Sequence, residues 1–195
     1  MKIKLIGNTA DLIDWDRIIL TCQENFENSD KNTVTSVVDR SEAGDSTEDN
    51  WLLDNYRSVI GNWKNAGYNL SEIVWYDYYP GQHFPMEIQE VFSKFVGAEP
   101  LRVFISEVLP GAVIPYHWDV EDKEQEWLAN YGQLYRYVCC IDKPKTGAGL
   151  FFDEDYLYLN KQGDVYEWAN YKDHHSSANS GEHPSYYFHF LGYKK

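Results

Sequence analysis

His117-Trp118-Asp119, with His175 far downstream, supplies two imidazoles and one carboxylate. That set suits a non-haem Fe(II), gripping one face of the ion and leaving the opposite face open. The spacing has a structural reason, because residues i and i+2 of a strand project from the same side of a sheet. His117 and Asp119 are therefore expected to point at one ion, with His175 arriving from a neighbouring strand. His174 is the direct rival of His175 and faces the other way on an extended segment. Without a metal, Asp119, Glu121 and Asp122 would read as an acidic turn, and His83, His183 and His189 are expected to be solvated or hydrogen-bonded outside the set.

Such ligands need a rigid support, and the chain is long enough to build one. Its 195 residues, 43% hydrophobic, fit a single domain with a proper core. Sixteen tyrosines, nine phenylalanines and seven tryptophans favour a β-rich fold, since rings suit pleated, half-buried surfaces. A formal charge of −14 argues against a nucleic-acid partner, which would demand a basic stripe, and against an anionic membrane surface. Cys22, Cys139 and Cys140 show no CxxC spacing, and the last two, being adjacent, would face opposite sides of a strand. Buried free thiols in a reducing compartment are the expectation. The first residues lack the apolar run of a signal peptide, and no stretch approaches the ~20 apolar residues of a membrane helix. Cytoplasmic residence is expected.

Two rhythms divide the chain. Residues 1–100 read as helical with one or two strands. The first helix is expected over 11–24 with Leu12, Trp15, Ile18, Ile19 and Cys22 on one face. The second carries Leu52, Tyr56, Val59, Ile60 and Trp63 at helical spacing. The third starts at Pro85 and presents Ile88, Val91, Phe92 and Phe95. A polar, acidic loop is expected over 39–50 and a strand over 73–79. From 101 onward strands are expected over 101–109, 112–119, 133–142, 149–153, 155–159, 163–168 and 185–192, separated by turn residues such as Pro110-Gly111 and Gly147-Ala148-Gly149. Many short strands at this spacing predict an antiparallel sandwich or barrel behind a helical front. The polar segment 120–130 is expected to be a lid anchored by Trp127.

Residues 103–192 resemble the aspartyl/asparaginyl β-hydroxylase branch of the Fe(II)/2-oxoglutarate oxygenases. The similar run begins at Ser106, passes Pro110-Gly111 and reaches His117. Leu134-Tyr135-Arg136-Tyr137-Val138 is similar to the strand whose arginine pairs with a 2-oxoglutarate carboxylate in that family. His175-Ser176-Ser177-Ala178-Asn179 looks like its His-Ser-x-x-Asn segment. The resemblance covers about half the chain. It implies a mainly β, α+β fold: a double-stranded β-helix, or jelly-roll, cupin-like barrel, at 101–195 with packed N-terminal helices. It implies that His117, Asp119 and His175 hold Fe(II) and that Ser106 and Arg136 bind 2-oxoglutarate. The activity implied is a dioxygenase hydroxylating an amino-acid residue of a peptide, a protein or a free amino acid, with O2 as the other co-substrate.

The chain departs from that family at Ser185. Many members carry an arginine there, ten positions after the second histidine, to clamp the distal carboxylate of 2-oxoglutarate. A serine cannot form the planar two-point contact of a guanidinium. Either Arg136 carries that load with Ser106 and a tyrosine, or the co-substrate binds differently. A jelly-roll binding module without turnover, or a cupin-type metalloenzyme using more histidines, are the competing readings. Phe104, Val138, Phe151 and Trp168 are expected to shape the cavity or to be ordinary core.

Overall fold

The computed structural model describes residues 3–28, 65–67, 75–78, 80, 84–117, 122–153, 155–158, 160–168 and 174–195. The helix expected around Leu52–Trp63, the acidic loop at 39–50, His83 and Asp119 lie outside the described residues. Within them the elements run β1 (Lys4–Asn8), α1 (Trp15–Asn28), β2 (Trp75–Tyr78), α2 (Glu87–Val96), β3 (Glu99–Val108), β4 (Val113–His117), α3 (Asp122–Tyr131), β5 (Leu134–Cys140), β6 (Ala148–Phe152), β7 (Asp155–Tyr158), β8 (Asp164–Trp168), β9 (His175–Asn179) and β10 (Ser185–Tyr193).

The strands form two antiparallel sheets. One has the order β1-β8-β5-β10-β3-β2, the other β4-β9-β6-β7. From β3 onward, successive strands alternate between the sheets except at the β6–β7 hairpin, the order that winds a double-stranded β-helix: β3, β5, β8 and β10 in the larger sheet, β4, β6, β7 and β9 in the smaller. β1 and β2 extend the larger sheet at its two edges. β1 was not anticipated: its alternation is weak and Leu5 is exposed, so the strand is held by pairing with β8.

Period-two alternation gives the larger sheet two unlike faces. Val103, Ile105, Tyr137, Cys139, Val165, Phe188 and Phe190 face the helices, where Trp15, Ile18, Cys22, Ile88 and Phe92 complete one core. Phe92 lies 4.7 Å from Phe188 and 5.3 Å from Phe190, ring centre to ring centre. Val108, Val138, Cys140, Trp168 and Tyr187 face the barrel interior and pack with Leu150, Phe152 and Leu157 of the smaller sheet. Cys139 and Cys140 accordingly sit in different cores, and all three cysteines are buried and outside any disulfide. Burial pushes the Cys22 and Cys140 thiols up to about 12, which suppresses the thiolate.

Helix boundaries follow from local capping. α1 begins at Trp15 rather than Asp11 because the Asp14 carboxylate accepts the Arg17 N–H, while Thr9 O accepts the N–H groups of Leu12 and Ile13 in a preceding turn. Leu12 therefore precedes the helix and is exposed. α2 buries Ile88, Phe92 and Val96 and stops at Gly97, whose φ of 66° supplies the left-handed cap. The segment expected as a polar lid is helical over α3, and its last residue, Tyr131, stacks on Tyr193 of β10 at 4.2 Å.

Candidate metal centre and anion pocket

β4 pairs with β9 so that Ile114 faces Ser177 and His117 faces His175, with an irregularity in the register between. That bulge turns the end of β4 and sets the two imidazoles side by side, ring centres 4.5 Å apart. His117 Nδ1 lies 2.7 Å from Pro115 O. A carbonyl oxygen only accepts, so Nδ1 carries the proton, and in the neutral ring Nε2 then carries the lone pair that a metal ligand requires. Phe152 and Trp168 pack around His175 at ring-centre distances of 6.0 and 6.1 Å. His174 takes the other side of the sheet. It stacks on Tyr116 at 5.4 Å, beside Asp153, whose carboxylate accepts the Tyr116 hydroxyl.

The histidine pair opens on a cavity of about 100 Å³ inside the barrel mouth, also lined by Ser106, Arg136, Trp168 and Ser177. Arg136 and Ser106 are buried, at 4% and 6% exposure. The strand register shows how they are placed. Leu191 of β10 stands opposite Arg102 on β3 and Arg136 on β5, and Arg136 stands opposite Trp168 on β8. Ser106 stands opposite Tyr187, four residues deeper along β10. Ser177 Oγ and Trp168 Nε1 are buried and have no hydrogen-bond partner among the described residues. Two orphan donors on a cavity wall mark a place for polar ligand atoms.

Of the six site residues expected from sequence, four meet in this cavity: Ser106, His117, Arg136 and His175. Ser185 lines a smaller neighbouring cavity with Asp142 and Lys145, opposite Val108 at the start of β10. Asp119 is outside the described residues, and among those residues no three His, Cys, Asp or Glu side chains gather to hold a metal. Phe104 and Trp168 line the cavity, while Phe151 points outward at 42% exposure. Two cavity residues were missed. His189, expected to be solvated or hydrogen-bonded away from the site, is half-buried and lines the cavity, stacked on Phe104 at 4.6 Å and 11°. Arg102 lines it too, its guanidinium carbon 4.8 Å above the Phe104 ring. The signal was present, since Arg102, Phe104 and Ser106 share one strand face by i, i+2 spacing.

No family model matches the sequence, and no curated protein matches it. Solved structures do resemble it. A Pseudomonas putida prolyl-4-hydroxylase superimposes over 100% of this chain and 92% of its own, with a TM-score of 0.53 at 7% identity. The likeness is one of fold. A 2OG-Fe(II) oxygenase family oxidoreductase from Burkholderia pseudomallei covers 61% of this chain and 66% of its own, with a TM-score of 0.41 at 12% identity. A Cupin_2 domain of an XRE family transcriptional regulator from Enterobacter cloacae covers 50% and 96%, with a TM-score of 0.34 at 17% identity. The strand order of this chain by itself winds a double-stranded β-helix. No helix among the described residues is long and apolar enough to cross a membrane.

Proposed function

We propose that this chain is an Fe(II)- and 2-oxoglutarate-dependent oxygenase of the aspartyl/asparaginyl β-hydroxylase type, hydroxylating an amino-acid residue in a peptide, a protein or a free amino acid. The observation that carries the reading is the in-register pairing of His117 with His175, one tautomer fixed by Pro115 O, at the mouth of a cavity walled by a buried arginine. The donor set fits the metal: two imidazoles on adjacent strands, with Asp119 two positions beyond His117 as the carboxylate the resemblance supplies. When bound, Fe(II) supplies the oxidative chemistry that, with O2 and 2-oxoglutarate, converts C–H to C–OH and releases succinate and CO2.

The chain's residues do the positioning. Arg136 offers a buried fork of N–H donors to a co-substrate carboxylate, and Ser106 adds a hydroxyl from β3, on the other side of β10 in the same sheet. Pro115 O orients the His117 ring, and Phe152 and Trp168 pack around the His175 ring. The cupin-type alternative draws on more histidines, but His189 stacks on Phe104 rather than joining the pair. Anaerobic addition of Fe(II) and 2-oxoglutarate is expected to give a weak visible charge-transfer band, and admission of O2 to give succinate. Iron bound with neither band nor succinate would overturn the oxygenase and leave a metal-binding module.

A further inference from the structure

We propose that the outer face of the smaller sheet is the contact surface of a homodimer, in which the tyrosine ridge on β7 of one copy seats in a glycine–alanine trough of the other. The inference is independent of the iron reading, since it uses the side of β4 and β9 that turns away from the cavity. Ile114, Leu150, Phe152 and Leu157 pack into the barrel interior, so alternation turns Val113, Phe151, Tyr156 and Tyr158 outward. Tyr116 joins them beyond the irregularity in β4. These five are 39–68% exposed and make up half of the large apolar side chains that stand exposed among the described residues. An antiparallel sheet with one wet face ordinarily turns polar residues outward, and this one places rings there.

Area, charge and relief select a second copy as the occupant. The five side chains leave about 500 Å² of surface open, more than half of the roughly 800 Å² per partner that a stable dimer buries. β4, β6, β7 and β9 together hold no lysine or arginine and one carboxylate, Asp155, which accepts the Ile3 N–H. A chain of charge −14, with 25% of its residues charged, repels its own copies over its ordinary surface. Here that repulsion is weakest. The strands offer no lysine or arginine to an acidic partner and one engaged carboxylate to a basic one. The relief also matches itself. Tyr158 stands opposite Gly149, Gly149 opposite Ala178, and Ala178 opposite Val113. Two small residues thus make a trough two strands wide, beside the ridge that Tyr156 and Tyr158 raise on the edge strand β7. A two-fold rotation sets ridge into trough twice, the closed contact of one patch with its own copy. The Tyr116 hydroxyl, which donates to Asp153, falls on the polar rim.

Sedimentation velocity of the full chain, from low to high micromolar concentration, tests the face. Wild-type protein is expected to sediment as a dimer. Its association should tighten as salt rises, because screening lowers the repulsion between two acidic copies. Y156E and Y158E alter exposed positions, with folding checked by circular dichroism, and each should weaken association at least thirtyfold. Y156F, which keeps the ring, should associate within about threefold of wild type. L20E, at a comparably exposed leucine on α1, should leave the dimer intact. A monomer at every concentration overturns the proposal and leaves the face to a different partner. A dimer that survives in both glutamate variants, that dissociates in L20E, or that loosens with added salt also overturns it, since each moves the contact to another surface.

Discussion

His117 and His175 face each other across β4 and β9, whereas His174, one position away, is turned aside. The physical difference is the face of β9: His175 packs against Phe152 and Trp168 inside the mouth, whereas His174 stacks on Tyr116 outside. Replacing either His117 or His175 by alanine is therefore expected to reduce Fe(II) affinity by at least a hundredfold, measured as metal retained after dialysis. H174A should retain iron within about threefold of wild type, since it removes an outer stacking partner. Loss of iron in H174A equal to that in H175A would reverse the assignment. At this scale the sequence was informative where residue type and order sufficed, as with His117, His175 and Ser106, which line one cavity. It was silent where a face had to be known: Arg102 and His189 look like ordinary charged and polar residues until β3 and β10 are paired and Phe104 is found between them.

At the scale of elements, the site depends on how firmly β9 is held between β4 and β6. The turn ahead of β6 does much of this holding. Gly147 adopts a φ of 94°, its carbonyl accepts the Ser180 N–H, and a Cβ placed on it would come within 2.5 Å of Gly181 N. Both the left-handed backbone and the close approach require glycine. G147A is expected to lower stability by about 2–4 kcal/mol in urea unfolding. A change below about 0.5 kcal/mol would show that the turn relaxes without cost. The register irregularity in β4 is the second such device, because it brings His117 opposite His175 after Ile114 has faced Ser177. Sequence periodicity located most strands of the barrel to within a few residues, but it does not register bulges, and it read α3 as a polar segment because its apolar stripe is sparse.

For the whole molecule, the larger sheet separates two environments: a helix-covered core on one side and the cavity side on the other. Asp142, between β5 and β6, is caught at the edge of this arrangement. Burial pushes its carboxyl up to about 6, against the opposing pull of Lys145 and the Tyr186 N–H that it accepts. A folded value above the ordinary 3.8 means that the folded state binds the proton more tightly than the unfolded chain. The resulting contribution is fully present below about pH 4 and is lost as pH rises through 6. The rise corresponds to about 3 kcal/mol at most. The difference in unfolding free energy between wild type and D142N should therefore shift in favour of wild type as pH falls from 7 to 4.5. A pH-independent difference would remove Asp142 from that role. Subtracting the variant cancels the chain's many other carboxylates, which a formal charge of −14 makes unavoidable in any single profile.

By itself the sequence determined which residue types were on offer: histidines spaced with a carboxylate, an arginine and a serine in successive strand patterns, and alternation dense enough to close a β structure. Alternation and spacing are local properties, so they survive without knowledge of partners. Only the tertiary structure decided which residues share the cavity. Strand pairing brings Arg102, Leu191, Arg136 and Trp168 into one row although 89 positions separate Arg102 from Leu191, and it leaves Ser185 at the far end of the strand. Cross-strand neighbours are fixed by register, and register is set by packing over the whole sheet rather than by any short segment of the chain.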